Sequence, residues 1–137
     1  MKGGGGALLV EKIVASSSKF VVTIADDSKR VEKLGKFPLP VEVVNFGVRA
    51  TAWKMERVFK MLNMEPKMTV RIKNGKPFHT EGGNSIIECA CGELLEPDRL
   101  EIMLNNLPGV VNNGLFIGLS GIILVGTTNG VEELRRG

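Results

Sequence analysis

The order of strands and helices between Val41 and Phe116 is the feature that most constrains the fold of this 137-residue chain. Apolar residues recur at steps of four and three from Val48 to Leu62, which predicts an amphipathic helix. A second helix is predicted to begin at Pro97. Short strands are predicted at residues 41–44, 67–73, 85–91 and 110–116. This β-α-β-β-α-β order is that of a ferredoxin-like lobe, with two helices on one face of an antiparallel sheet.

The segments on either side of this lobe predict a second lobe of α/β structure. Residues 7–18 predict a helix, and residues 20–25 form a continuous β-prone run of the kind that is buried in a parallel sheet. Residues 122–126 predict a further strand, and residues 130–136 a short terminal helix. Because two strands are too few for a stable doubly wound sheet, we expect this lobe to be the remnant of a larger domain.

The composition narrows the possible function classes. Hydrophobic residues make up 43% and charged residues 24%, which is typical of a soluble globular protein. The net charge is only +3 with scattered basic residues, and aromatic residues make up only 5%, with one Trp and no Tyr, which argues against nucleic-acid binding. The longest apolar run, at residues 122–125, is too short to cross a bilayer, and no secretion signal is evident, so we expect no membrane association and a cytoplasmic location.

Metal binding and disulfide formation are also disfavoured. Cys89 and Cys91 are two residues apart, a spacing that is poor for a disulfide on an extended chain. A metal site needs about four ligands, and His79 is the only histidine. We therefore expect two core thiols and no metal.

A glycine run near the start suggests a site for a small anion. Lys2 precedes four glycines, and a predicted helix that carries Glu11 follows them. Glycines let backbone N–H groups approach a ligand, and a helix N-terminus favours negative charge. The spacing alone fits a flexible linker equally well. Lys29 follows a predicted strand, where ligands bind in open α/β sheets, but its position alone favours a solvated turn lysine.

Ordered motifs run along essentially the whole chain. They are KGGGGALLVEKIV at residues 2–14, IADDSK at 24–29, LGKFPLPVEV at 34–43, TEGGN at 80–84, LPGVV at 107–111 and GLF at 114–116. In this order they resemble the motifs of type A ribose-5-phosphate isomerases. The resemblance implies interconversion of ribose 5-phosphate and ribulose 5-phosphate through a cis-enediolate, without a metal or organic cofactor, by a homodimer or homotetramer.

The resemblance also implies a domain division and a set of roles. Residues 1–38 and 117–137 would form part of a Rossmann-like catalytic domain, and residues 39–116 the inserted ferredoxin-like domain. Glu11 matches the catalytic base and Lys2 the lysine that contacts the reacting oxygens. Lys29 matches a further substrate-binding lysine. The substrate-lining backbone segment matches Gly3, Gly4 and Gly5.

Some parts of the family pattern are missing. The Gly-Thr-Gly-Ser-Thr type phosphate loop and the Asp-Gly-Ala-Asp-Glu type segment do not occur, so the chain looks truncated and we expect little activity from it alone. Val10 stands where many members carry Arg, and Glu81 and Gly82 replace an Asp-Asn pair. The alternative function is a non-catalytic ferredoxin-like module for binding or dimerisation. A P-loop phosphotransferase is excluded, since no Gly-Lys-Ser/Thr follows the glycines.

Overall fold

The structure, a computed structural model, describes residues 1–135 and divides into two compact units. The first unit comprises Met1–Leu9 and Lys33–Leu115, and the second comprises Val10–Glu32 and, of the described residues, 116–135. These limits differ from the predicted domain boundaries, because the glycine run belongs to the unit that also holds the ferredoxin-like lobe. A division into compact units does not show which unit is catalytic. The assignment of residues 1–38 and 117–137 to a catalytic domain stays a prediction.

Three helices and nine strands are described within residues 1–135. The helices are α1 (Leu9–Ser17), α2 (Val48–Met61) and α3 (Pro97–Asn105). The strands are β1 (Val22–Asp26), β2 (Leu39–Val43), β3 (Lys67–Val70), β4 (Ile72–Lys73), β5 (Lys76–Pro77), β6 (Ser85–Ala90), β7 (Val110–Asn113), β8 (Ile122–Thr127) and β9 (Gly130–Arg135).

The first unit contains a four-stranded antiparallel sheet in the order β3-β6-β2-β7. With α2 and α3 between its strands in the chain, it has the predicted ferredoxin-like topology. The central strand β2 is buried along its whole length, including Glu42, whose carboxylate accepts hydrogen bonds from Thr80 Oγ1 (2.7 Å) and Asn84 Nδ2 (2.9 Å). The buried charge is tolerated because polar groups satisfy it.

Each helix of the first unit buries one stripe of side chains. On α2 the buried residues are Thr51, Met55, Val58 and Phe59, spaced by four, three and one, which confirms the predicted amphipathic helix. Helix α3 begins at Pro97, as predicted, and buries Leu100 and Leu104. The first unit therefore has an apolar core between the sheet and these helices.

The predicted strand at 67–73 is wrong in its second half. Strand β3 ends at Val70, and Ile72–Lys73 instead pairs with Lys76–Pro77 in a separate two-stranded sheet. Asn74 and Gly75 connect the two short strands with positive φ angles of 54° and 73°, the backbone of a tight hairpin turn. The alternation of apolar and polar residues could not show this break, because the alternation continues unchanged from Val70 to Lys73.

The second unit is a three-stranded sheet in the order β1-β8-β9, with helix α1. Strands β1 and β8 are parallel, as predicted, and β9 is antiparallel to β8. The predicted helix at 130–136 is wrong for Gly130–Arg135, which form β9, and Arg136 lies outside the described residues. The expectation that the run at 20–25 is buried is also wrong, since Ile24 is 80% exposed.

Two further expectations concern thiols and membranes. Cys89 and Cys91 are free, and Cys89 is buried on β6, as expected of a core thiol. Burial raises the pKa of both thiols above the ordinary value of cysteine, because the charged thiolate is disfavoured away from water. Among residues 1–135, no helix has the length and apolar character needed to cross a bilayer.

Candidate functional site

The glycine loop that follows Lys2 is fixed at both ends by backbone hydrogen bonds. The N–H of Lys2 donates to the carbonyl of Gly114 (2.8 Å), and the N–H of Gly6 donates to the carbonyl of Gly3 (2.9 Å). Gly3 is buried with φ at +103°, and a Cβ there would lie 2.7 Å from Cγ of Pro40. The loop is thus an ordered turn in which only glycine fits at position 3, and the linker interpretation is wrong.

The middle of this turn presents bare backbone. Gly4 and Gly5 are exposed, and a Cβ at Gly5 would meet nothing within 4 Å. Neither N–H group donates a hydrogen bond to any group within residues 1–135. Two adjacent N–H donors in an ordered turn are suited to bind an anionic oxygen, because they carry fixed partial positive charge.

Side chains from the strand region 71–88 hold this loop, and the sequence analysis did not identify them. Arg71 Nη1 donates to the Gly3 carbonyl (2.8 Å), and its guanidinium also pairs with the Glu88 carboxylate. The ring of Phe78 lies against Gly6, where any Cβ would overlap it. The available signal was the single arginine between the apolar residues at 70 and 72, a weak signal without knowledge of where the strand ends.

Glu11 lies in the first turn of α1, in the second unit. It is half-buried, and its Oε2 atom is inaccessible to solvent and accepts no hydrogen bond within residues 1–135. A carboxylate in the first helical turn is favoured by the helix dipole. A shielded oxygen with an unused lone pair can accept a proton from a ligand, which is what a general base requires.

The neighbouring Lys12 is one of the few buried cations. It is 8% exposed, and its Nζ lies 5.0 Å from the centroid of the Phe116 ring. Such a cation–π contact partly offsets the cost of removing the ammonium from water. Lys12 therefore helps to anchor α1 within the second unit.

Lys29 lies at the end of a single 3₁₀ turn, Asp27–Lys29, directly after β1. Asp26 caps this turn, since its carboxylate accepts hydrogen bonds from the hydroxyl and the N–H (3.0 Å) of Ser28. The hydroxyl bond from Ser28 is the largest cause that lowers the pKa of Asp26. The turn thus carries an exposed lysine at the C-terminal end of a parallel strand, as the sequence predicted.

The predicted site residues fall into two groups. Lys2, with Gly3, Gly4 and Gly5, belongs to the first unit, and Glu11 and Lys29 belong to the second. Their roles in catalysis and substrate binding stay predictions. Within the part of the chain that is described, no group of three or more His, Cys, Asp or Glu side chains could hold a metal ion.

Known proteins resemble this chain over nearly its full length. Residues 1–130 match the family model of ribose 5-phosphate isomerase A (phosphoriboisomerase A). A ribose-5-phosphate isomerase A from Parvibaculum lavamentivorans is 50% identical over 133 residues, which cover 96% of this chain and 58% of the relative.

Solved structures agree with the sequence match. Ribose 5-phosphate isomerase from Plasmodium falciparum superposes with a TM-score of 0.91 at 28% identity, covering 99% of this chain and 59% of that one. A D-ribose-5-phosphate isomerase in complex with phospho-erythronic acid has a TM-score of 0.85 at 32% identity, with 99% and 58% covered. The chain spans less than two thirds of the length of these relatives. It belongs to the ribose 5-phosphate isomerase A family.

Proposed function

We propose that this chain carries part of the active site of a ribose-5-phosphate isomerase, which interconverts ribose 5-phosphate and ribulose 5-phosphate. The observation that carries the proposal is the family match over residues 1–130, which includes every predicted site residue. The reaction is an isomerisation, so no external oxidant, reductant or water is consumed. It needs a base, a means to stabilise a transient negative charge, and contacts for the sugar phosphate.

In the proposed mechanism, Glu11 moves one proton. Its carboxylate removes the proton from C2 of the open-chain aldose, and the electron pair forms a C1–C2 double bond with negative charge on O1. The carboxyl group then returns the proton to C1, while the hydroxyl proton at O2 passes to O1 and the carbonyl forms at C2. The unused, solvent-shielded Oε2 of Glu11 supports this role.

The charges and donors of the other predicted residues support the remaining roles. Lys2 contributes a cation to the oxygens of the cis-enediolate, where fixed positive charge lowers the barrier. The exposed N–H groups of Gly4 and Gly5 donate to an anionic oxygen of the substrate, next to the buried Gly3. Lys29, exposed after β1, binds the substrate.

The domain arrangement, oligomeric state and location are proposed from the same family match. The catalytic residues lie in a Rossmann-like domain formed by residues 1–38 and 117–137, and residues 39–116 form its ferredoxin-like insertion. The protein is a cytoplasmic homodimer or homotetramer that acts on a sugar phosphate and needs no cofactor, nucleic acid or membrane.

Isomerase assays test the proposal on this chain and on a longer version that carries the additional length of the relatives. The chain alone is expected to show little or no turnover, since transition-state stabilisation depends on a complete, preorganised site. In the longer version, Glu11→Gln should lower kcat by about 10²–10⁴-fold, the usual contribution of a general base, with a smaller change in KM.

Glu56→Gln is the matched control, because Glu56 is a helical glutamate on α2 that pairs with the exposed Lys60, with Nζ and Oε1 3.0 Å apart. It should leave kcat and KM at the wild-type values. An unchanged kcat in Glu11→Gln would remove Glu11 from its role. A longer version that binds phospho-erythronic acid but never isomerises ribose 5-phosphate would contradict the proposed reaction.

A further inference from the structure

Arg71 connects the inserted strand region to the glycine loop. It lies between β3 and β4, and its backbone is fixed because its N–H donates to the Ile86 carbonyl (2.8 Å) and its carbonyl accepts from the Phe78 N–H (3.0 Å). Its side chain is 12% exposed. From this position Nη1 donates to the carbonyl of Gly3 (2.8 Å).

The hydrogen bond to Gly3 determines where the Gly4 N–H points. The peptide bonds of residues 1–135 are trans, so the C=O of Gly3 and the N–H of Gly4 point in opposite directions across one rigid plane. The Gly3 carbonyl receives two donors, Arg71 Nη1 and the N–H of Gly6. The Gly4 N–H is thereby directed away from the guanidinium, toward the exposed side of the turn.

The same contact prevents an unfavourable alternative. If the Gly3–Gly4 peptide rotated, its carbonyl oxygen would face the ligand and repel an anion. Glycine permits such a rotation more readily than any other residue, because it lacks a Cβ. The charge-assisted bond from Arg71 is stronger than a neutral one and opposes the rotation.

Two neighbours keep Arg71 in place. Glu88, which is 20% exposed, accepts from its guanidinium and balances the charge. The centroid of the Phe78 ring lies 5.5 Å from the guanidinium carbon, and the ring also packs against Gly6. The arginine is therefore held by a carboxylate, which contacts Nε and Nη2, and by an aromatic ring, and this leaves Nη1 for the loop. A lysine cannot reproduce this arrangement because it lacks the planar fork.

We propose that Arg71 is a positioning residue of the isomerase site, which fixes the Gly3–Gly4 peptide so that the N–H groups of Gly4 and Gly5 face an anionic oxygen of the sugar phosphate or its enediolate. The inference rests on the proposed function only in naming the ligand. The proposed conformation of the loop does not depend on that function. It assigns to the ferredoxin-like insertion a direct part in shaping the substrate-binding backbone.

The test compares variants of the 137-residue chain by NMR of ¹⁵N-labelled protein. Arg71→Met removes the bond to Gly3. Glu88→Gln keeps an amide oxygen that can still accept from the Arg71 guanidinium, so it removes only the negative charge of the ion pair and leaves the bond to Gly3 in place. Arg57→Met is the matched control, since the guanidinium carbon of Arg57 lies 5.0 Å from the centroid of the Trp53 ring on the same helix, away from the glycine loop in sequence. Amide order parameters of Gly4 and Gly5 should fall from about 0.85 to below about 0.6 in Arg71→Met, and stay high in the other two variants.

Titration with phospho-erythronic acid gives the second measurement. Arg71→Met should bind this probe about tenfold more weakly than wild type, which corresponds to the loss of one well-aligned hydrogen bond. Glu88→Gln and Arg57→Met should retain the wild-type affinity. If Arg71 served only as an ion-pair partner, Glu88→Gln and Arg71→Met would lose affinity together, and that result would overturn the inference.

The two proposals fail in different ways. Absence of probe binding by both wild type and the longer version would count against the isomerase site, while the order parameters would still decide the role of Arg71. Unchanged order parameters for Gly4 and Gly5 in Arg71→Met would overturn that role even with normal probe binding. Should Arg71→Met fail to fold, Arg71→Lys replaces it, with an intermediate loss of order expected.

Discussion

The two units bury the same residue types to different degrees. On β2 of the first unit, Val41 and Val43 are completely buried. On β1 of the second unit, Val22 is 48% and Ile24 is 80% exposed. All four are β-branched residues in regular strands, so the sequence of a strand does not determine whether the strand is covered. Coverage depends on which other elements pack against it.

The largest expected difference is in the free energy of unfolding when an isoleucine is truncated. Ile86→Ala in the first unit, where the side chain is fully buried, should cost about 2–5 kcal/mol through lost burial and a residual cavity. Ile24→Ala in the second unit should change the free energy of unfolding by no more than about 0.5 kcal/mol. Urea unfolding, monitored by circular dichroism, measures both free energies. An equal loss of stability in the two variants would contradict the difference in side-chain burial between the two strands.

A pair of glycines separates packing from backbone strain. Gly35 in the first unit and Gly130 in the second both have φ at +125°, but a Cβ at Gly35 would overlap the Gly92 carbonyl, and one at Gly130 would meet nothing within 4 Å. Gly130→Ala should cost about 1–3 kcal/mol of backbone strain. Gly35→Ala should cost about 1–3 kcal/mol more, because the backbone must also move.

Thermal and urea unfolding of the two glycine variants provide the measurement. If Gly130→Ala lowered the free energy of unfolding as much as Gly35→Ala, backbone strain alone would account for the loss of stability at both positions. The difference between the variants would then give no information about packing in the first unit.

The same contrast explains how far the fold could be predicted. In the ferredoxin-like lobe, periodicity located α2 and α3 because their buried stripes are also their apolar stripes. Strand β9 was predicted as a helix, since Glu132, Glu133 and Leu134 are good helix formers. Its pairing with β8 overrides that propensity. The Asn-Gly pair at 129–130 was the hairpin signal that should have outweighed it.

The candidate site could be predicted only in part. The glycine run and Glu11 stand out because their chemistry is local in sequence. Arg71 contacts Gly3 across 68 positions of the chain, and no local pattern reports such a contact. The packing of Phe78 against Gly6 is non-local for the same reason.

The exposed strand of the second unit should bind a hydrophobic dye. Val22 and Ile24 lie two apart on the edge strand β1, so they share a face and form one apolar patch. Ile24→Ser should lower dye fluorescence more than Ile102→Ser, although Ile102 on α3 is 62% exposed. The chain should also self-associate through this edge, and sedimentation would detect it.

A longer version with the additional length of the relatives gives a further check on the patch. Its dye fluorescence should be lower than that of the 137-residue chain if the added segment covers β1. A monomeric 137-residue chain that binds no dye would contradict the exposure of this strand.

The smallest expected effect concerns the carboxyl group of Asp26, which caps the turn that ends at Lys29. Its hydrogen bonds from Ser28 lower its pKa below the ordinary value of 3.8. The contribution of this cap to stability is therefore complete at pH values above the ordinary pKa. It is lost as the pH falls through the lowered pKa of Asp26 in the folded protein. Ser28→Ala should raise the pKa of Asp26, and Ser16→Ala, which alters a serine bonded to Ile13 on α1, should not. NMR titration of the Asp26 carboxyl carbon measures this shift, and an unchanged pKa in Ser28→Ala would show that the turn holding Lys29 is ordered by something other than this cap.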